Sequence, residues 1–109
     1  MFTKKSDSGY IEMMEGIERK TLVYGDKTLL AEFHLEKGKT LPKHSHPNEQ
    51  TGYLIKGRLQ FTIETDTFDT QAGDSWCIPT DIEHHVEVLE DSLVIEVFSP
   101  VREDLLPKE

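Results

Sequence analysis

His44 and His46 stand two residues apart, and Gln50 follows in the same short run, GKTLPKHSHPNEQTGYLIKG, from Gly38 to Gly57. In a strand that spacing points both imidazoles to one side. The chain bends at Pro47, which can bring the Gln50 amide oxygen to the same place. Two imidazoles and an oxygen donor suit a first-row divalent metal. Imidazole ligates in its neutral form, which dominates at neutral pH. Taken alone, such a pair reads first as two surface histidines in a polar loop. Its company changes that reading. Gly38 lies six positions before His44, and Gly57 lies seven after Gln50. A second run, GDSWCIPTDIEHHVEV, opens at Gly73, with Pro79 six positions on and His84 five beyond that.

The elements that must position these residues are short and strand-like, with turn signals every eight to twelve residues from Lys20 onward. That rhythm predicts an all-β sandwich or barrel. Lys20 to Tyr24 is the first run. Thr28 to Glu36 alternates, with Leu29, Ala31, Phe33 and Leu35 on one face and Glu32, His34 and Glu36 on the other. Gln50 to Lys56 is expected to close at Gly57. Arg58 to Glu64 follows, with Leu59, Phe61 and Ile63 on one face. A polar turn near Thr65 leads to a weaker strand ending at Gly73. Ser75 to Ile78 reads as a short buried strand stopped by Pro79, with Trp76 and Cys77 in the core. His84 to Leu89 and Ser92 to Phe98 read as a final hairpin around Glu90 and Asp91. The tail after Pro100 has room for one helical turn. Residues 1–16 are expected as a flexible lead-in with room for one strand, and residues 17–109 as a single domain.

Composition narrows the function classes. A chain of 109 residues supports one core, and 36% hydrophobic with 30% charged residues is ordinary for a globular protein. No apolar run approaches the roughly 18 residues of a membrane helix. The N-terminal residues lack the apolar stretch of a signal peptide. Cys77 is the single cysteine and has no intrachain partner, so a reducing, cytoplasmic setting is expected. The net charge of −9 repels phosphate backbones and anionic membranes, and the three arginines, Arg19, Arg58 and Arg102, form no basic stripe. Neither nucleic acid nor membrane is an expected partner. An anionic ligand would need local positive charge, such as a metal with one or two arginines.

Together the two runs resemble the two sequence motifs of the cupin superfamily. The first motif is glycine, five residues, HxH, three or four residues, an acid or glutamine, six residues, glycine, and it is complete here with Gln50 in the acid position. In the second, Gly73, Pro79 and His84 match. Asp81 replaces a glycine, a change Asp tolerates because it adopts left-handed backbone more readily than most residues. Val88 stands where the pattern ends in asparagine. The resemblance covers about residues 20–100. It implies a double-stranded β-helix, or jelly-roll, barrel. It also implies one divalent transition metal (nickel, manganese, iron or zinc) held in the barrel mouth by His44, His46, Gln50 and His84. His85 would then face away from the site, and His34 would be a surface or pocket-wall residue. Three histidines and a glutamine carry no charge, so the metal would keep its full positive charge and favour anionic oxygen ligands.

The segments HSHPNEQTGYLIKG, IPTDIEHHVEVLEDS and VIEVFSPVRED are similar to small cupins of the pectin-degradation type. These convert unsaturated uronates into linear keto sugars. That family typically has His where Asn48 stands, and its terminal segment typically reads VIDVFSPPRED. Its pocket aspartate, phenylalanine and arginine fall on Glu96, Phe98 and Arg102. The resemblance implies Glu96 and Arg102 as catalytic residues, and Phe98 and Arg102 as substrate-binding residues. The acid is one methylene longer here, and a displacement of about 1 Å at a reacting group can cost a hundredfold. Arg19, Tyr53 and Gln60 are weaker pocket candidates. The expected activity is an isomerase- or tautomerase-like conversion of a small sugar acid. A metal-dependent oxygenase and a non-catalytic metal- or sugar-binding cupin stay open as alternatives. Pairing through edge strands would cover exposed sheet edges, so a homodimer is expected.

Overall fold

The computed structural model describes residues 1–107, and their order is all strand until one final 3₁₀ turn. The strands are β1 (Ile11–Met14), β2 (Ile17–Tyr24), β3 (Leu29–Leu35), β4 (Thr40–His44), β5 (Glu49–Ile63), β6 (Asp66–Gln71), β7 (Ser75–Ile78) and β8 (His84–Ser99). The turn, Glu103–Leu105, occupies the tail where a helical turn is expected. Lys108 and Glu109 lie outside the described residues. The strand in the lead-in is β1, which pairs antiparallel with β2. Among the described residues, no helix is long and apolar enough to cross a membrane.

All pairing is antiparallel, in the order β1-β2-β3-β8-β5-β6, with β4 on β8 and β7 on β5. Two long strands organise the barrel. β8 pairs β4 through its first half and β3 through its second, and β5 runs beside it nearly throughout. β5 in turn pairs β7 near its start and β6 near its end. Each long strand therefore belongs to both layers of the jelly roll.

This corrects two expected turns. Gly57 does not end a strand, and Glu90 and Asp91 do not form a hairpin tip, because β5 and β8 continue through both places. The register between them slips at Leu54/Lys56, Lys56/Arg58 and Arg58/Leu59. Bulges of this kind let a strand turn a corner and pass from one layer to the next. Gly57 sits at that corner with φ 103°, and a Cβ there would lie 2.6 Å from the Asp91 carbonyl oxygen. The turn residues are real signals, but they mark a bend in paired strands.

The interior follows the period of two. In β3, Leu29, Ala31, Phe33 and Leu35 are buried, as their alternation predicts. Leu54, Leu59 and Phe61 of β5 and Val86, Val88, Val94 and Phe98 of β8 meet them. Burying each large side chain contributes about 1.5–3 kcal/mol. β7 departs from expectation. Only Ile78 is buried, Trp76 is half-buried and Cys77 is exposed. A strand at the barrel edge alternates in and out, so Ser75 and Cys77 take the outer side. Outside β2 and β3, Lys20 donates to the Ser6 carbonyl at 2.8 Å and the Tyr10 hydroxyl donates to Glu32, which straps residues 6–10 down.

Candidate functional site

Two strand ends and a loop place the histidines. His44 closes β4 and His84 opens β8, and the two are direct cross-strand partners. Their rings are 4.2 Å apart. His46 follows in the loop, 5.2 Å from the His84 ring. That loop is tied down twice. The Asp81 amide donates to the His46 carbonyl at 2.9 Å, and the buried Asn48 side chain donates to the Pro100 carbonyl at 2.5 Å. Asp81 holds φ 61°, the left-handed backbone of the glycine it replaces in the motif. One ligand-capable nitrogen from each of the three rings lies within 4.8 Å of the others.

The hydrogen bonds fix the tautomers of His44 and His84. Nδ1 of His44, His46 and His84 faces a backbone carbonyl, of Pro42, Asn48 and Ile82, at 2.7, 3.1 and 2.9 Å. A nitrogen facing a carbonyl must carry the proton. In His44 and His84, Nε2 is thus left as a lone pair, with the ring held by a partner behind it, as in metal sites. Nε2 of His84 is buried and has no hydrogen-bond partner. Burial holds the His84 imidazole down to about 4, and burial followed by the Arg102 charge lowers that of His46. Both rings are neutral donors at neutral pH.

Gln50, buried near the start of β5, supplies the fourth group. Its Nε2 donates to Glu96, which turns Oε1 toward His46 Nε2 at 2.8 Å. The nitrogen and the oxygen face one point there, where a bound cation would take the place of the proton between them. The unpartnered Nε2 and this converging pair fit a divalent metal at the four expected positions.

Beyond the four donors lies a cavity of about 250 Å³, lined mainly by apolar side chains such as Phe33, Leu59, Phe61 and Val94. Val94, Glu96 and Phe98 share the inner face of β8, and all three are buried. Glu96 accepts from Trp76 Nε1 at 3.0 Å on one oxygen and from Gln50 on the other. Burial pushes its carboxyl up to about 8, against the opposing effect of those two donors. Arg102 lines the same cavity and lies 4.8 Å over the Phe98 ring. Its Nε and Nη2 donate to Asp104 at 3.1 and 2.6 Å.

The structure therefore brings together His44, His46, Gln50, His84, Glu96, Phe98 and Arg102. It does not bring in the weaker candidates. Tyr53 and Gln60 are exposed on the outer face of β5, and Arg19 reaches the Asp104 carbonyl at 3.3 Å. His34 is on the outer face with Glu32 at 3.0 Å, and His85 lies opposite Thr62, away from the cluster. Sequence reasoning missed Met13 and Met14, which line the cavity from β1, and misplaced Trp76, which belongs to the cavity wall. The signal for Trp76 was its phase with Ile78, two residues on in the same strand.

The sequence profile described as a cupin domain matches residues 31–99. The chain belongs to the cupin family. This cupin is 31% identical, over 97 residues, to the pectin degradation protein KdgF of Dickeya dadantii (strain 3937), covering 87% of this chain and 88% of that protein. The structure of KdgF from a Halomonas species matches it with a TM-score of 0.91 and 28% identity, over 97% of this chain and 100% of that one. An RmlC-like cupin from Shewanella frigidimarina has the same TM-score of 0.91 at 23% identity, over 96% and 95% of the chains, and shares the fold.

Proposed function

We propose that this cupin is a metal-dependent enzyme that converts 4,5-unsaturated uronates to linear keto sugars. His44, His46, Gln50 and His84 would hold one divalent transition metal. The observation that carries the reading is the convergence of three carbonyl-anchored histidines, with Gln50 turned onto His46 and Glu96 bonded directly to that glutamine. The likeness to a KdgF named as a pectin degradation protein, and to the structure of a second KdgF, supports the substrate class.

When bound, the metal supplies Lewis-acid polarisation of a substrate oxygen. The chain supplies the rest. Ring opening breaks the bond between the anomeric carbon and the ring oxygen and moves the anomeric hydroxyl proton to that oxygen. The resulting enol passes a proton to the neighbouring carbon, so substrate and product are isomers. Glu96 is the group that moves this proton, through its carboxylate oxygens. Phe98 packs against the ring, and Arg102 holds the substrate carboxylate, offsetting locally a net charge of −9. The enzyme would act in the cytoplasm, as a homodimer.

A cupin that binds without catalysis is the second reading. It is favoured by Arg102, whose fork already faces Asp104. The test is an ultraviolet assay of metal-loaded protein with an unsaturated uronate. Loss of the conjugated enol faster than its spontaneous decay is the expected result, and an inert loaded protein would sink the enzyme reading.

A further inference from the structure

Trp76 and Glu96 stand on β7 and β8, with β5 between them. Strands are about 4.8 Å apart, so groups two strands away sit about 9–10 Å apart at the backbone. The residue between them is Gly52, the direct cross-strand partner of both. Any side chain there would occupy the path, since a Cβ built on Gly52 overlaps the indole, including Cζ2 at 2.6 Å. Gly52 needs no left-handed backbone, so its lack of a side chain is what the site uses. Across this gap the indole N–H reaches Glu96 Oε1 at 3.0 Å. Phe61 backs the indole at 4.9 Å. The other oxygen of Glu96 accepts from Gln50 and so aims the glutamine oxygen at His46.

From this alignment we infer that Trp76 is a positioning residue, admitted by Gly52, which fixes Glu96 and through it the donor oxygen of Gln50. This rests on the metal-site reading above. It extends that reading to two residues outside the four metal positions. A carboxylate with one oxygen released can rotate, and the Gln50 amide is then free to turn its N–H₂ toward the histidines. Outer partners of metal ligands are worth about 10–100-fold in metal affinity.

The test uses the full chain and zinc(II) as probe. Trp76 is the single tryptophan, so the apo protein shows one indole N–H resonance. Glu96→Ala is expected to move that resonance upfield and speed its hydrogen exchange. Trp76→Phe keeps a ring against Phe61 and removes the donor, and chelator competition is expected to read zinc binding about tenfold weaker. The double variant is expected to bind no more weakly than Glu96→Ala alone, because both changes break one chain of contacts. Gly52→Ala should reproduce the Trp76→Phe loss. An indole resonance indifferent to Glu96, or zinc affinity unchanged in Trp76→Phe, overturns the inference. If both shifts occur in a protein inert toward unsaturated uronates, the positioning role is supported and only the substrate reading falls.

Discussion

At the scale of single residues, the site is organised by what lies behind each donor. Three backbone carbonyls hold the histidine Nδ1 atoms, and Glu96 holds the Gln50 amide. The imidazoles therefore need little rearrangement to ligate. Glu96 sits at the junction of this scaffold and the cavity. Its substitution by Gln keeps the volume and removes the exchangeable acid. Glu96→Gln at saturating metal should retain stoichiometric metal by elemental analysis while kcat on an unsaturated uronate falls about 10²–10⁴-fold. Unaltered turnover would move the proton-transfer role elsewhere. Asp104 has a bearing on substrate binding. Arg102 keeps its carboxyl below the usual range, so it is an ionised rival for any substrate carboxylate at the same fork.

At the scale of elements, the bend shared by β5 and β8 is what brings both ends of β8 to one cavity, His84 from its start and Glu96 and Phe98 from its end. Gly57 makes that bend possible. Gly57→Ala would force a left-handed backbone on an L side chain and set a Cβ against Ser92 Cα and the Asp91 carbonyl, each at 2.6 Å. The expected loss exceeds about 1 kcal/mol, read as a lower urea midpoint at unchanged slope. Gly25→Ala is the control. Gly25 has open space and no positive φ, so the same measurement should find it neutral or stabilised by about 0.4–1 kcal/mol.

At the scale of the whole molecule, a metal held at the four proposed positions would link binding to folding. His44 and His84 join β4 to β8, while Gln50 belongs to β5, so one ion would clamp three strands that unfolding separates. A ligand that binds only the folded state at 100 times its Kd stabilises it by about 2.7 kcal/mol. Thermal melts of the wild-type chain should therefore rise in Tm with added nickel or zinc and fall back with chelator. His84→Ala should melt at one temperature in both conditions. Equal metal dependence in the variant would show that the ion binds elsewhere.

The order and spacing of the chain alone determined the all-β class, the inward face of β3, and the four residues proposed as metal ligands. Those conclusions depend on period two and on motif spacing, which are local properties. Only the tertiary structure decided that Gly57 and the pair Glu90 and Asp91 are one corner, because a bulge and a turn use the same residues and differ only in whether the partner strand continues. Only the tertiary structure moved Trp76 from core to cavity wall and Cys77 to the surface, since a short apolar run does not say which of its sides is covered. The contact of Trp76 with Glu96 across Gly52 was not legible at all. It joins residues from three strands far apart in the chain, and its condition is an absent side chain, which becomes visible only when the strands are set in register.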